Sequence, residues 1–473
     1  MTRDEIKKMM EDDPEALCDL VLELQARVNK LENQTAKDSH NSSKPPSTDG
    51  ANKIARTRSQ RKKSTTNNGG QTGHPGATLT KVAEPDHIVA HHVTGSCRCG
   101  QVLDDVCSTK YQRRQVFDIP ALNIRVTEHR AEIKQCPCGQ KHVAAFPEGV
   151  NAPVQYGQRI KSFVTYLMTY QHLPYERTAE LIHDLVGKHQ ISQGTLFNIQ
   201  NAWYHALQGE ALAIKEQVTN SDVVCFDETG ASVNKAKHWI HSAGTEDFTY
   251  YAIHKNRGHQ AMDAIGILPE FEGTAIHDFW ASYLKYECNH GLCNAHHLRN
   301  LTYIHEQYDH SWAQQMINLL LKIKREVDEQ KLSYPKLDET IIRNFEKEYQ
   351  QILEFADEEK PPPEKKSEKP KRGRMKRSEP IRLLDRFKDY RKEILAFMYD
   401  FKIPFDNNLA ERDMRMMKLH QKISGQFKSI VAADMFCRIR SYISSVKKQN
   451  LNVMDSLNNV LLGIPLFKRS NMT

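Results

Sequence analysis

Two short apolar runs that each end in an acidic residue constrain the fold of this chain more than any other feature. Residues 223–226 lead directly into Asp227, and a polar turn segment follows. Residues 273–277 lead in the same way into Asp278. A short apolar run bounded by turn residues is typical of a buried strand. We therefore predict two buried strands, each with an aspartate at its end.

A third acidic residue, Glu411, lies near the start of a predicted helix. Asp406 or Asn407 can cap that helix, because a short side-chain oxygen accepts from the free N–H groups of the first turn. Glu411 then lies about one turn inside, with Arg412 and Arg415 beside it. A carboxylate held beside basic residues suits a metal ion that must also meet a phosphate. From this segment alone, a capped and salt-bridged surface helix explains the pattern equally well.

Together the three acids form a set that can hold divalent cations. Two strand-borne aspartates and a helix-borne glutamate can converge on a pair of such ions. The ions would activate a water or a 3′-hydroxyl and stabilise the leaving oxygen of a phosphodiester. For each aspartate alone, a residue that caps a turn at the end of a strand is the more ordinary interpretation. The combination of the three is what favours a metal site.

The three acid-containing blocks resemble the signature of one enzyme family. Residues 227–229, 277–283 and 406–412 are similar, in that order and with their flanks, to the signature blocks of the DDE transposases of the insertion-sequence 66 family. The resemblance extends over nearly the whole chain. It implies that Asp227, Asp278 and Glu411 are the catalytic acids and bind two Mg²⁺ ions, for which Mn²⁺ can substitute.

The resemblance also implies a multidomain α+β chain with a ribonuclease-H-like catalytic core. Residues 222–254 predict three strands joined by hairpins, and a helix over 261–268 precedes the strand that ends at Asp278. This order is compatible with such a core. The 133 positions between Asp278 and Glu411 (411 − 278) contain apolar residues at helical spacing. They predict an inserted helical region at about 295–400.

Shifts in composition divide the chain into six segments. These are an N-terminal helix or coiled coil with an Asn-Ser-Ser-Lys-Pro-Pro segment (1–50), a disordered basic linker (51–84), a zinc-binding domain (85–150), a helical domain resembling a helix-turn-helix (151–216), the catalytic core with its insertion (217–430) and a C-terminal helical tail (431–473). The basic linker suits sequence-independent contact with DNA phosphates, although a solvated linker gives the same pattern.

A short heptad pattern near the N-terminus predicts a coiled coil. Leu17, Leu24 and Leu31 occupy d positions, and Val21 and Val28 occupy a positions. This combination favours a parallel dimer. Because the pattern is short, a single amphipathic helix packed on its own chain explains it nearly as well. We expect self-association, at least as a dimer.

Two Cys-x-Cys-Gly turns predict a structural zinc site. They contain Cys97 with Cys99 and Cys136 with Cys138. Four thiolates around a tetrahedral zinc would stabilise a small domain that lacks a large core. The family has its zinc-binding region at this point, usually with two residues between the paired cysteines, whereas this chain has one. The residues able to replace a thiolate are Cys107, His87, His91, His92, His129 and His142.

Residues 175–198 predict two helices joined by a short glycine-containing turn, as in a helix-turn-helix. The first helix is expected to end at Gly187, and Ser192 is expected to cap the second. The family resemblance favours DNA binding here, whereas a helical hairpin that braces the core explains the pattern equally well. The candidate DNA contacts are Ser192, Gln193, Thr195 and Asn198.

Two further groups of residues surround the acids in the sequence. Basic side chains near Glu411 suit a DNA backbone, and they are Arg412, Arg415, Lys418, Lys422 and Lys428. A tight cluster contains Cys288, Cys293, His296 and His297. Four zinc ligands on about one helical turn would be awkward. We therefore expect Cys288, Cys293 and His296 to have a structural role near the active site.

The sequence as a whole indicates a DNA transposase. It would bind double-stranded DNA at its own element's ends, cleave it, and join the freed 3′-hydroxyl to target DNA. The N-terminus lacks a signal peptide, no run is long enough to span a membrane, and the cysteine pairs suit a reducing compartment, so we expect a bacterial-type cytoplasmic protein that joins the nucleoid when bound to DNA. The alternatives are a catalytically inactive zinc and helix-turn-helix DNA-binding protein derived from such an element, and a zinc hydrolase built on the cysteine and histidine cluster.

Overall fold

The computed structural model describes residues 6, 10, 12–37, 41–42, 79–187, 190–359 and 377–467. Packing divides the chain into two compact units. One contains Thr57–Glu128 and Leu185–Gly187, and the other contains Met1–Arg56, His129–Asp184 and Lys188–Thr473. Most of the Asn-Ser-Ser-Lys-Pro-Pro segment and the basic linker up to residue 78 lie outside the described residues. The three predicted acids all belong to the second unit.

Helix α1, Pro14–Ala36, is the predicted N-terminal helix. Asp13 caps it, since one carboxylate oxygen accepts a hydrogen bond from the backbone N–H three residues on, at 3.0 Å. Val21 and Leu24 of the heptad are 55% and 51% exposed. The side chain of Leu31 lies outside the described set. The described part of the heptad seam is therefore open to solvent, and the coiled coil stays a prediction.

A small antiparallel hairpin surrounds the second cysteine turn. Strand β1, Ile133–Gln135, pairs with β2, Lys141–Val143, and the turn between them contains Cys136 and Cys138. The sequence also predicts β-structure over 123–130, but no strand forms there. Alternation of side chains is insufficient for a strand, because the strand also needs a neighbour to pair with.

Between the hairpin and the main sheet the described chain forms four further α-helices, and they are α2 (Gln158–Thr165), which continues as a π-helical turn over Tyr166–Tyr170, α3 (Tyr175–Val186), α4 (Gln193–Ala206) and α5 (Gln208–Thr219). Gly187 follows α3 with a left-handed φ of 73°. The hydroxyl oxygen of Ser192 caps α4 by accepting from the backbone N–H of Thr195 at 3.1 Å. Both predicted helix ends are confirmed. Leu196 and Trp203 are buried on the inner face of α4.

The second unit contains a five-stranded mixed sheet. Its strands are β3 (Val223–Val233), β4 (Ala236–Gly244), β5 (Thr249–His254), β6 (Thr274–His277) and β7 (Asn289–Leu292). The order across the sheet is β5-β4-β3-β6-β7. Strands β3, β4 and β5 pair antiparallel, whereas β6 runs parallel to β3 and β7 runs parallel to β6.

Local chemistry explains how the strands connect. Asn234 and Lys235 form the two-residue β3–β4 turn and both have positive φ, 46° and 66°. This geometry matches the twist of the strands it joins, so the predicted hairpin is confirmed. Helix α6, His259–Ile265, lies between β5 and β6. It ends before the predicted position 268, because Gly266 takes a left-handed φ of 69°.

The predicted helical insertion follows β7. Its helices α7 to α12 span Asn294–Tyr308, Ser311–Gln330, Glu339–Glu358, Glu379–Asp389, Arg391–Ile394 and Ala396–Tyr399. Trp312, Tyr349 and Phe387 are fully buried in one apolar cluster. The insertion thus has a core of its own. Neither these helices nor any other in the described part of the chain is long and apolar enough to cross a membrane.

Three helices complete the described chain, and they are α13 (Asn408–Ser424), α14 (Ile430–Lys448) and α15 (Val453–Leu461). Helices α13 and α14 pack on β3, β4 and β5. Met414 and Met417 from α13 and Phe436 from α14 share an apolar cluster with Ile240 and Tyr251 of the sheet. This packing fixes the helix that carries Glu411 against the strand that carries Asp227.

Helix α14 also covers the outer edge of β5. The backbone N–H groups of Thr249 and Tyr251 donate to the hydroxyl oxygens of Ser445 and Ser441, at 3.0 and 2.8 Å. All four residues are buried. Two serines thus supply the acceptors that a further strand would otherwise provide.

Candidate active site

The register of β3 and β6 brings two of the predicted acids to the same part of the sheet. The strands run parallel, and Cys225 pairs with Ile276. Two residues further along lie Asp227 and Asp278. The predicted strand end at Asp227 was wrong, because β3 continues to Val233 through its pairing with β4, whereas Asp278 directly follows the end of β6 as predicted. Glu411 lies in the first turn of α13, which packs on β3. Two neighbouring strands and one helix therefore direct the three acids to one site.

Burial raises the pKa values of the three carboxyl groups, and repulsion by neighbouring carboxylates adds to the rise for Asp227 and Glu411. The pKa of Asp227 rises to about 8, chiefly through burial and then through the charge of Glu228, and Asp278 and Glu411 add to the shift. Burial also raises the pKa of Asp278 and that of Glu411. Crowded, half-buried carboxyl groups favour a bound proton or cation over an uncompensated charge. The cluster is therefore suited to hold positive charge.

Asn407 and Cys293 connect the backbones of the three acid-bearing elements. The side-chain amide of Asn407 donates to the carbonyl oxygen of Phe226 at 2.8 Å, and its backbone N–H donates to the sulfur of Cys293 at 3.2 Å. The backbone N–H of Cys293 in turn donates to the carbonyl oxygen of His277 at 3.0 Å. These three hydrogen bonds join β3, β6 and the start of α13.

Each end of this network lies next to an acid. Phe226 directly precedes Asp227, and His277 directly precedes Asp278. The backbone carbonyl oxygen of Asn407 accepts a hydrogen bond from the backbone N–H of Glu411 at 3.1 Å. A displacement of any one of the three elements would therefore strain hydrogen bonds that position the other two. Sequence reasoning named the asparagine only as a possible helix cap.

Cys293, His296 and Glu411 bring a sulfur, a nitrogen and an oxygen atom within 4.8 Å of one another. The Nδ1 atom of His296 lies 4.0 Å from a carboxylate oxygen of Glu411. Burial raises the pKa of Cys293 to about 12 and, ahead of the charges of nearby arginines, lowers the pKa of His296 to about 4. Two residues of the predicted cluster thus lie beside an acid. Among the described residues this metal-capable group does not include Cys288 or His297.

A partly buried ion pair beside the acids was not predicted from the sequence. The Nε group of Arg257 donates to a carboxylate oxygen of Glu228 at 2.7 Å, and the hydroxyl of Tyr283 donates to the other oxygen. The guanidinium of Arg257 lies over the rings of Trp239 and Trp280, 5.0 and 4.2 Å from their centroids. Glu228, Trp280 and Tyr283 belong to the signature blocks, which is the signal that could have found them. Nothing in the sequence marks Arg257 or Trp239 as part of the site.

Helix α13 carries a basic stripe, formed by Arg415, Lys418 and Lys422, on the face that also carries Glu411. Arg415, Lys418 and Lys422 follow it at spacings of four, seven and eleven residues, which places them on one helix face. The amine of Lys418 donates to the carbonyl oxygen of Gly230 in β3 at 3.0 Å. The predicted DNA contacts of this region are all exposed, and they are Arg412, Arg415, Lys418, Lys422 and Lys428.

The other predicted DNA contacts lie at the start of α4. Ser192, Gln193 and Asn198 are exposed, and Thr195 is half-buried. The hydroxyl groups of Ser192 and Thr195 lie 3.0 Å apart and hydrogen-bond to each other. Gln193 and Asn198 are therefore the better placed pair for contact with a ligand.

The two cysteine turns have the same backbone geometry and lie in different compact units. In the first, the backbone N–H of Cys97 donates to the carbonyl of Gln101, and that of Gly100 donates to the carbonyl of Cys97, both at 2.8 Å. The turn at Cys136 repeats both hydrogen bonds, at 2.8 and 2.7 Å. Gly100 and Gly139 share a φ of 91°. The four thiols are exposed.

Comparison with known families gives two matches. The family described as Transposase IS66 family matches residues 153–435. A family of unknown function, DUF6444, matches residues 3–80. No curated protein matches the chain. The first match covers more than half of the chain, including both aspartate-bearing strands and the Glu411 helix, and the chain therefore belongs to the IS66 transposase family.

Proposed function

We propose that this transposase-family protein binds double-stranded DNA at the ends of its own insertion sequence, cleaves it, and joins the freed 3′-hydroxyl to target DNA. Asp227, Asp278 and Glu411 hold two Mg²⁺ ions, with Mn²⁺ able to substitute. The ions would supply an activated oxygen nucleophile and stabilise the leaving oxygen of the phosphodiester. The chain itself positions the ligands and holds the DNA backbone.

One observation carries this proposal, which is the convergence of three half-buried carboxyl groups from β3, the end of β6 and α13. Their pKa values are raised chiefly by burial, and neighbouring carboxylates add to the rise for Asp227 and Glu411. Folding therefore concentrates negative charge at a cost that a divalent cation can offset. The hydrogen bonds of Asn407 and Cys293 hold the acid-bearing backbones in fixed relation. Such fixed carboxylates are what a phosphoryl-transfer site requires.

We further infer that the sheet is a ribonuclease-H-like core. The strand order β5-β4-β3-β6-β7, with β3 antiparallel to β4 and parallel to β6, supports this inference. In this arrangement Asp227 lies in β3, and Asp278 directly follows the neighbouring strand β6. The third acid, Glu411, lies on α13, which follows the long helical insertion. Residues far apart in the sequence therefore meet at one site.

Other parts of the chain have proposed supporting roles. The basic stripe of α13 binds DNA phosphates next to the acids, and the exposed start of α4 contributes further DNA contacts. The two cysteine turns bind structural zinc, because each presents paired thiols on a tight turn. Helix α1 mediates self-association, and the protein works in the cytoplasm on nucleoid DNA.

The proposed chemistry is tested by Asp227→Asn. Incubated with Mg²⁺ and a supercoiled plasmid carrying the reading frame with its flanking DNA, the parent chain should nick and join DNA. The variant should lose nicking by at least about 10³-fold, because an amide is a poor ligand for two cations. Its affinity for the same DNA, measured by gel shift, should match that of the parent.

The matched control is Asp222→Asn. Asp222 is an exposed acid just before the same strand, paired with Lys402 at 2.7 Å. It should nick at the parental rate. Nicking by Asp227→Asn at a rate near that of the control would reject the assignment of the acids.

A further inference from the structure

The helical insertion places an arginine against the loop that carries Asp278. Arg386 belongs to α10, and its guanidinium carbon lies 4.0 Å from the ring centroid of Phe279. Phe279 directly follows Asp278 and is contacted on its edge by Tyr390, with ring centroids 4.8 Å apart. The aromatic ring therefore fixes the plane of the guanidinium beside the acid cluster.

Arg386 has no anionic partner of its own among the described residues. Its Nε atom is buried without a hydrogen-bond partner, and none of the ion pairs between described residues includes it. Arg257, the other arginine close to Asp278, is by contrast paired with Glu228 at 2.7 Å. A half-buried guanidinium without a partner is costly, so its presence calls for an anion that binds there.

The groups around Arg386 define which anion fits. Asp278 lies close enough that the arginine lowers the carboxyl pKa against the effect of burial, yet the two form no ion pair within 4.0 Å. His296 and His297 also face it, and its charge helps to keep their pKa values low, so both are neutral. Arg382 lies one turn away on the same helix, where it is exposed and pairs with Glu379 at 3.6 Å. Apart from Asp278, the groups that face Arg386 are neutral rings, which leaves its guanidinium available to an incoming anion.

We propose that Arg386 binds a non-bridging oxygen of the DNA phosphodiester that meets the acid cluster. The inference rests on the proposed function and assigns a site-forming role to the insertion. A planar guanidinium fork suits phosphate oxygens, and its stacking on Phe279 holds the fork in place before DNA arrives. Helix α10 of the insertion therefore supplies a cation to a site whose two aspartates come from the sheet.

The test compares Arg386→Gln, Arg386→Lys and Arg382→Gln in the full chain. The probe is the supercoiled plasmid carrying the reading frame with its flanking DNA, at saturating concentration with Mg²⁺. Arg386→Gln should slow nicking by about 10²-fold, as expected for loss of one fixed donor to developing charge. Arg386→Lys should recover part of that loss, because the charge stays but the fork is gone. Arg382→Gln, which removes an exposed cation, should nick within about twofold of the parent.

Chemical rescue separates phosphate binding from a structural role. Arg386→Ala should regain nicking when guanidinium is added at a non-denaturing concentration, and equal NaCl should have no effect. Mn²⁺ binding, followed by electron paramagnetic resonance, should be unchanged in all Arg386 variants. Nicking by Arg386→Gln at the rate of Arg382→Gln, or loss without rescue and with lowered melting temperature, would overturn the inference. A parent chain that does not nick, or an Asp278→Asn variant that does, would instead overturn the proposed function.

Discussion

The geometry of the three acids depends on Asn407 more than on any other single residue. It is buried, with 3% of its surface accessible, and it bonds to β3, to Cys293 and to the first turn of α13. Its amide cannot be replaced by an apolar group without leaving the carbonyl of Phe226 unpaired in the interior. The asparagine is therefore a positioning residue rather than a cation ligand.

We expect Asn407→Ala to lower the free energy of unfolding by about 1–3 kcal/mol, the cost of a buried unsatisfied group. It should also weaken Mn²⁺ binding, because the acid-bearing backbones are no longer tied together. Chemical denaturation and Mn²⁺ titration measure the two effects. Asn408→Ala, at the exposed neighbouring position, should leave both unchanged. Full Mn²⁺ affinity in Asn407→Ala would contradict the positioning role.

Two buried histidines should make the fold sensitive to mild acid. The rings of His172 and His420 lie 5.5 Å apart. Burial, followed by the charge of Arg440, lowers their pKa values to about 3 and about 4. The unfolded chain binds protons at these positions near the ordinary histidine pKa of about 6.5, before the folded chain does. The free energy of unfolding therefore falls as the pH drops below about 6.5.

His172→Asn should reduce this loss of stability. Asparagine tolerates the left-handed backbone at this position, where φ is 61°. Between about pH 7 and about pH 5 the variant should lose less unfolding free energy than the parent, by on the order of 1–2 kcal/mol. Urea denaturation at each pH measures the difference. His183→Asn, at an exposed position of α3, should follow the parent, and an equal slope in His172→Asn would reject the explanation.

At the scale of elements, α1 has an apolar seam that its own chain leaves half exposed. Leu24→Lys should convert a self-associated protein into a smaller species, because a charge at a d position is costly to bury between two helices. Light scattering coupled to size exclusion measures the mass. Asp19→Lys adds the same side chain at an exposed position on the far side of the heptad and should keep the parental mass. An unchanged mass for Leu24→Lys would leave α1 without this role.

Elements with strong local signals were predictable, and those that depend on distant contacts were not. The capped helices at Asp13 and Ser192 and the β3–β4 hairpin follow from side-chain chemistry within a few residues. Strand β7 escaped prediction because its four residues contain Gly291 and form a strand only through pairing with β6.

The site shows the same division between local and distant signals. Asp227, Asp278 and Glu411 were recognisable because each lies in a signature block. Arg257 and Arg386 were not, because nothing near them in the sequence indicates that folding brings them to the acids. A guanidinium that reaches a site from a helix 108 positions beyond Asp278 (386 − 278) leaves no short-range pattern.

At the scale of the whole molecule, the proposal requires two kinds of metal with separable roles. We expect the purified chain to contain zinc bound through its cysteine turns, because paired thiols on tight turns are zinc ligands. The double variant Cys136→Ser, Cys138→Ser should lose zinc in elemental analysis. Cys18→Ser, which removes another exposed thiol, should retain it. Absence of zinc from the parent chain would remove this part of the proposal.

The seating of α14 on β5 limits how copies of this protein can join. Ser441 and Ser445 occupy the donors that a strand from a second molecule would need. The β5 edge of the sheet is thereby closed to templated growth, and a neighbouring copy cannot extend the sheet from that edge. Self-association through side chains, as proposed for α1, can by contrast form and separate without unfolding the sheet.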